Sequence, residues 1–438
     1  MESLQAFCEP VLLLNWKDEA LEKELNEKGI EFHYFPVFTY GRYFDFITKI
    51  HGYKYGRRIN SASTALDKRR NKLLLAGNKK FIKKRAGNFL LNIASYLVPV
   101  STLQLFENHY LKKETNLQEN IDHFKKLAID TVLTLTPFLK DEFLLLKSFD
   151  RLGIPIIYSV LSFDNLTTRG YLPVSFDHFF VWNTLNKNEV LRIFGSDKKV
   201  DIVGPVQFDF YWDDKYIWEK ETWKKKLHII ADRPVILFGG GHYTIVPNET
   251  DWLLDIDQAI STGEIKHNPL ILFRRHPLDP ADRWTKVLGQ CNQVVVDEPW
   301  KSTSGNLSQT NITDVDIAKL CSTLKWTDIH VNASSTLTLD GAIFNKPQIG
   351  PAYSDTDAQL SIVVKDLYFR EHYLPISESG GVQIAYSRRE LINYINEALS
   401  EPGKYAVQRK AMVDLFCEGE YGKSALRLVN SLHKAIGV

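Results

Sequence analysis

Between Thr327 and Gly350 the chain reads TDIHVNASSTLTLDGAIFNKPQIG, and its apolar positions change period along the way. Ile329 and Val331 alternate with polar residues, the period of a short strand. Asn332, Ala333, Ser334, Ser335 and Thr336 interrupt with small and hydroxylated side chains. Leu337, Leu339, Ile343 and Phe344 then form a helical stripe, and a further short strand follows Lys346 and Pro347. The pattern predicts strand, polar turn, helix, loop, strand. Residues 269–278, PLILFRRHPL, form an apolar strand that ends abruptly in Arg274, Arg275 and His276. Residues 234–238 form another, running into Gly239, Gly240, Gly241 and His242. Apolar runs that end in sudden charge belong to parallel sheets, whose strand ends border the ligand crevice.

The rest of the chain repeats this alternation. Strands are expected at 11–16, 30–37, 130–135, 154–161, 177–182, 200–203 and 293–297. Helices are expected at 18–28, 116–128, 138–152, 187–194, 315–324, 388–399, 405–415 and 424–436. Such spacing predicts mostly parallel sheets with helices on both faces. With 438 residues, the chain is too long for one ordinary core. The expected fold class is α/β, with two Rossmann-like domains facing a central cleft. Residues 1–210 form the first domain, a charged, Trp-rich linker spans 211–233, and residues 234–410 form the second. Helices in 411–438 are placed to cross back to the first.

Charge and cysteine usage narrow the function classes. A net charge of +1 demands no polyanionic partner. Cys8, Cys291, Cys321 and Cys417 lack metal-ligand spacing, which favours a reducing compartment. Glu2 and Glu9 break any signal-peptide pattern, and the most apolar helical run, 89–100, is too short to span a bilayer. A cytoplasmic protein is expected. Twelve basic residues and the single acid Asp67 crowd residues 54–85, directly before that apolar run. Nucleic acid is not expected, because aromatic interleaving is thin. Residues 54–100 read either as a solvated basic face or as a peripheral contact with anionic membrane.

The candidate chemistry lies at the predicted strand ends. Ser335 and Thr336 fall at a helix N-terminus, where N–H groups and the macrodipole favour an anion, although hydroxyl residues also serve there as ordinary caps. Arg274, Arg275 and His276 suit a phosphate, or else pair with structural carboxylates and cap a turn. Backbone can approach a ligand closely at Gly239–Gly241. In the first domain LSFDNLTTRG places Asp164, Asn165 and Arg169 after a strong strand. Asp164 is a candidate general base for an acceptor hydroxyl or an Asx-turn residue. Asn165, Arg169 and Asn183 fall on the acceptor side.

His276–Pro277 followed by Ser335–Thr336 resembles the nucleotide-binding domain of GT-B glycosyltransferases. Closest in pattern are bacterial sialyltransferases, Kdo transferases and CDP-glycerol glycerophosphotransferases. The likeness covers roughly residues 234–400. It implies that His276, Ser335 and Thr336 contact the donor's phosphate. Asp340, Lys346 and Pro347 are similar to the glycerophosphotransferase pattern, and Gly204–Pro205 with Gln207 and Asp209 resembles a GT-B hinge. The chain departs from these families at Ala333 and Ser334, where they often carry Asp–Tyr. The donor side is expected to comprise Gly240, Gly241, His242, Arg274, Arg275, His276, Ser334, Ser335, Thr336 and Asp340, with Asp164 and His276 catalytic. No DxD motif is placed to suggest metal-bound diphosphate, so no metal and no cofactor are expected. The implied function is metal-independent sugar transfer from a nucleotide-sugar to a glycan or lipid-linked acceptor in bacterial surface polysaccharide synthesis. Glycerophosphate transfer from CDP-glycerol is the enzyme alternative. A UDP-sugar 2-epimerase shares the fold, but no carboxylate set stands out for it. A non-catalytic nucleotide-sugar or glycan-binding subunit is the alternative from another class.

Overall fold

The computed structural model describes residues 2–35, 40–74, 79–112, 115–230, 232–300 and 312–437. The chain forms two compact units, Met1–Val206 with Glu418–Val438, and Gln207–Cys417.

The first unit carries two parallel sheets. β1 (Val11–Leu14) pairs with β2 (Glu31–Tyr34). β3 (Val132–Thr134), β4 (Ile156–Ser159), β5 (His178–Val181) and β6 (Lys199–Ile202) lie side by side in chain order. Their apolar residues join Phe149, Val190 and Ile193 in one core. The last helix, Ser424–Ile436, buries Leu428 and Leu432 against Ile157, Phe180 and Val203. Gly204 explains part of this fit. Its φ is +85°, and a Cβ there would lie 2.6 Å from the Ser424 hydroxyl, so glycine lets the helix approach the strand end.

Between β2 and β3 the described residues include the helices Arg42–Ile59, Ala62–Leu74, Lys79–Leu97, Val100–Lys112 and Thr115–Lys126. The apolar run at 89–100 spans a break. Pro99 cannot continue the helix that ends at Leu97, and the flanking segments Gly87–Leu97 and Val100–Leu111 meet at 109°. Among the described residues no single helix is long and apolar enough to cross a membrane. Phe89, Leu90, Tyr96, Leu97 and Leu105 are nonetheless exposed. Not every basic residue nearby is solvated. Arg57 lies over the Tyr96 ring and donates to Asn92 and Ser95. The side chains of 74–86, including Lys79, Lys80, Lys83, Lys84 and Arg85, lie outside the described residues.

The second unit is built on one six-stranded parallel sheet. Its strands are β7 (Val235–Gly239), β8 (Leu270–Arg274), β9 (Val294–Asp297), β10 (Ile329–Asn332), β11 (Gln348–Pro351) and β12 (Val382–Ala385). Their order is β12-β11-β10-β7-β8-β9. The stretch 211–233, expected as a linker, is instead packed into this unit. Its helix Lys220–Lys226 buries Trp223, whose indole N–H donates to Thr323 at 3.1 Å. Trp218 N–H donates to Ser322, and Trp326 donates back to the Trp218 carbonyl. Trp218 and Trp223 thus tie the segment to the helix Asp314–Trp326.

Candidate functional site

Strand order locates the candidate site. The chain lays down β7, β8 and β9 in one direction, then returns beyond β7 to place β10, β11 and β12 in the other. The reversal falls between β7 and β10, and ligands of doubly wound sheets bind outside the strand C-termini at such a point. Register places Gly239 opposite both Asn332 and Arg274. The loops leaving β7, β8 and β10 therefore start at one edge. At Gly239 a Cβ would lie 2.2 Å from Leu337 Cδ2, so the bare glycine leaves room for Leu337 of the helix Leu337–Ile343 against β7.

His276 and His242 are the chemically open groups at this edge. The His276 Nδ1 accepts the Leu278 N–H at 3.1 Å, so the neutral ring carries its proton on Nε2. Burial pushes its pKa down, with His242 and Arg275 adding to the effect and Asp279 opposing it. The ring is therefore a neutral Nε2–H donor at physiological pH. His242 meets it edge-on with ring centroids 5.6 Å apart, and holds Thr244 Oγ1 through Nδ1 at 2.8 Å.

Several residues assigned to the donor side from sequence serve the fold instead. Arg274 is buried and paired with Asp297 at 2.5 Å. Arg275 donates to the Asp279 carbonyl and lies 3.1 Å from Glu298. Gly240 N–H goes to the Arg274 carbonyl and Gly241 N–H to Glu249, at 2.9 and 2.6 Å, so neither amide is available to a phosphate. Ser334 adopts φ +45° and turns its hydroxyl to the Leu367 carbonyl. Asp340 is on the buried side of its helix, hydrogen-bonded to Tyr211. Its pKa is pushed up to about 7 by burial, against that hydrogen bond. Each of these groups has a partner inside the protein, although Asp340 keeps one buried oxygen, Oδ1, without one among the described residues.

Ser335 and Thr336 remain at the edge. Ser335 Oγ accepts the Leu337 N–H at 3.2 Å, an ST-turn. Thr336 is exposed and makes no side-chain cap. Beside them, Asn332 accepts from Thr338, while its buried Nδ2 has no partner among the described residues.

In the first unit Asp164 accepts from Thr168 at 2.9 Å and from Asn165 at 3.3 Å, and Asn165 Oδ1 accepts the Ser162 N–H. These bonds brace the turn through side chains, and Asp164 makes no side-chain cap of the helix Asn165–Thr168. Asn165 is buried in it rather than displayed for an acceptor. Asn183 caps the helix Thr184–Phe194, accepting the Asn186 N–H at 2.9 Å. Arg169 is exposed and sits over the Phe138 ring.

The model of the CDP-glycerol:poly(glycerophosphate) glycerophosphotransferase family matches residues 162–434. The chain belongs to that family. It is a transferase, and the matched residues run from the Asp164 turn through the whole second unit into the last helix. Among solved structures it is similar to a glycosyltransferase from Rickettsia africae, at 11% identity over 98% of this chain and 90% of that one, with a TM-score of 0.51. It is also similar to a UDP-GlcNAc 2-epimerase from Neisseria meningitidis bound to UDP-GlcNAc, at 16% identity, 73% and 81% coverage and a TM-score of 0.48. No curated protein matches the chain. The fold is that of GT-B glycosyltransferases.

In this glycerophosphotransferase-family chain, sequence reasoning missed Glu249, Asp279, Arg283 and Asp297. Asp279 and Arg283 are spaced i, i+4 just after the His–Pro pair, which was the available signal. Glu249 and Asp297 come from other elements, and only the fold brings them in.

Proposed function

We propose that the chain moves a group from a nucleotide-activated donor, seated at the switch point of the second unit's sheet, to a hydroxyl of a glycan or lipid-linked polymer. The observation that carries this reading is the pairing of His276 and His242 at that edge, beside the orphaned Asn332 amide and the Ser335–Thr336 turn. A neutral Nε2–H, an amide and hydroxyls suit phosphate oxygens without needing a full counter-charge. His276 would stabilise the departing anion, and Asp164 is proposed to take the acceptor's proton.

Family membership favours CDP-glycerol as donor. The acceptor oxygen would then attack the β-phosphorus, the bond to the α-phosphate would break, and CMP would leave. The other reading is sugar transfer for a capsule, O-antigen or similar glycan. Attack would then fall on the anomeric carbon, and a nucleoside diphosphate, or CMP from a CMP-sugar, would leave. The fold shared with a glycosyltransferase supports it. Metal is not required in either proposal. Work at the inner face of the plasma membrane fits the exposed Phe89, Leu90 and Leu97 beside a basic sequence.

The test begins with thermal-shift and calorimetric binding of CMP, CDP, UDP, GDP and dTDP. Turnover of CDP-glycerol and of nucleotide-sugars follows, with polymer acceptor. Transfer of glycerophosphate from CDP-glycerol with CMP release supports the first reading; transfer of a sugar from a nucleotide-sugar supports the second. A protein that binds no nucleotide overturns both.

A further inference from the structure

The 239–246 loop begins with three glycines and is tied internally by the His242–Thr244 contact. It is also held from outside, by two acids and one base. Gly241 N–H donates to Glu249 Oε1 at 2.6 Å, and Tyr243 N–H to Asp279 Oδ1 at 3.1 Å. The Arg283 guanidinium joins these carboxylates, with Nη1 2.8 Å from Asp279 Oδ2 and 3.5 Å from Glu249 Oε2. Its Nη2 donates to the Val246 carbonyl at 2.7 Å, closing the far end of the loop. Asp279 is fixed in turn. Trp284 Nε1 donates to it at 2.6 Å, and its own N–H donates to the His276 carbonyl at 2.9 Å.

We propose that Glu249, Asp279 and Arg283 form a positioning clamp that holds the glycine loop against the His276 turn and so sets His242 beside His276. The clamp rests on the donor-site reading above for its purpose, not for its existence. Its amide bonds occupy the N–H groups that such a loop would otherwise turn to a phosphate. What the loop presents at the edge is then the His242 imidazole. Asp279 belongs to both halves, binding the loop through its carboxylate and the His–Pro turn through its backbone. The fork of Arg283 reaches two carboxylates and a carbonyl at once, which a lysine ammonium on a single stem does less well. Both acids are almost fully buried; burial pushes the Glu249 carboxyl pKa up to about 8, so the guanidinium chiefly compensates Asp279.

The clamp is tested in the ligand-free full chain with Arg283→Met, Arg283→Lys and Glu249→Gln. Glu249→Gln keeps an acceptor for Gly241 but puts an amide NH2 in place of the oxygen 3.5 Å from Arg283. Hydrogen exchange at the Gly241 and Tyr243 amides reads the clamp directly, and nitrogen-15 titration of His242 and His276 reads its consequence. In Arg283→Met both amides should exchange faster by about tenfold or more. His276 should titrate closer to an ordinary histidine as its turn opens. Arg283→Lys should recover part of the protection. Nucleotide affinity should fall in parallel while unfolding stays cooperative. If Arg283→Met fails to fold, Glu249→Gln carries the same readouts. Unchanged amide exchange and unchanged imidazole titration in a folded variant overturn the proposal. If the unmodified protein binds no nucleotide, the donor-site reading fails; the exchange measurements need no ligand and still decide the clamp.

Discussion

The Arg274 guanidinium lies 2.5 Å from the Asp297 carboxylate, and both are buried at the ends of adjacent strands. Arg274 is therefore a stability residue first. Arg274→Ala leaves a buried carboxylate short of a partner, a loss of roughly 3–5 kcal/mol, moderated by the ion pair that Lys319 also makes with Asp297. Urea unfolding should show this fall. Unchanged stability with lost nucleotide binding would return Arg274 to the donor site.

Nucleotide contact is expected from His276 and the Ser335–Thr336 turn. His276→Ala, and Ser335→Ala with Thr336→Ala, should each weaken nucleotide binding by roughly 1–3 kcal/mol. Calorimetry that finds full affinity in both variants removes these residues from the site.

Asp340 gives a pH dependence with a definite sign. Burial holds its carboxyl protonated in the fold up to about 7, against 3.8 for an ordinary aspartate. Below the lower value both states are protonated. Between the two, the unfolded chain ionises and the folded one does not, so stability falls as pH rises. Asp340→Asn removes this contribution. The loss of stability between pH 4 and pH 7 should be smaller in the variant, as urea midpoints at the two pH values will show. Equal losses in the two proteins would contradict the raised pKa.

Transfer should survive excess EDTA. One of the chain's closely spaced acid pairs, Asp255 and Asp257, is already engaged. Asp257 accepts the Asn292 and Gln293 N–H groups, and Asp255 accepts from Tyr353 and lies 3.5 Å from Arg388. Loss of turnover in EDTA with rescue by magnesium or manganese would count against the donor-site reading.

Replacing Lys79, Lys80, Lys83, Lys84 and Arg85 with Gln should release the protein from anionic vesicles. Each well-placed cation adds about 1 kcal/mol near such a surface, and salt should weaken the binding. Nucleotide affinity should be unaffected. If the unmodified chain does not sediment with anionic vesicles at low salt, the basic stretch is a solvated face.

The sequence by itself determined the α/β alternation, because period-2 and period-3.6 patterns are local properties of the chain. It placed the strand–turn–helix at Ile329–Ile343 and the strand ending in Arg274. It also singled out the His–Pro pair and the Ser–Thr pair, since each sits where an apolar run stops. The tertiary structure decided which polar groups were already spoken for. Arg274 and Asp340 read as ligands in sequence, and only the proximity of Asp297 and Tyr211 reveals them as buried partners. The fold also turned a Trp-rich linker into a packed element, and brought Glu249 to Gly241. These outcomes depend on contacts between distant residues, and a hydrophobic period carries no information about which distant residue will satisfy a buried charge.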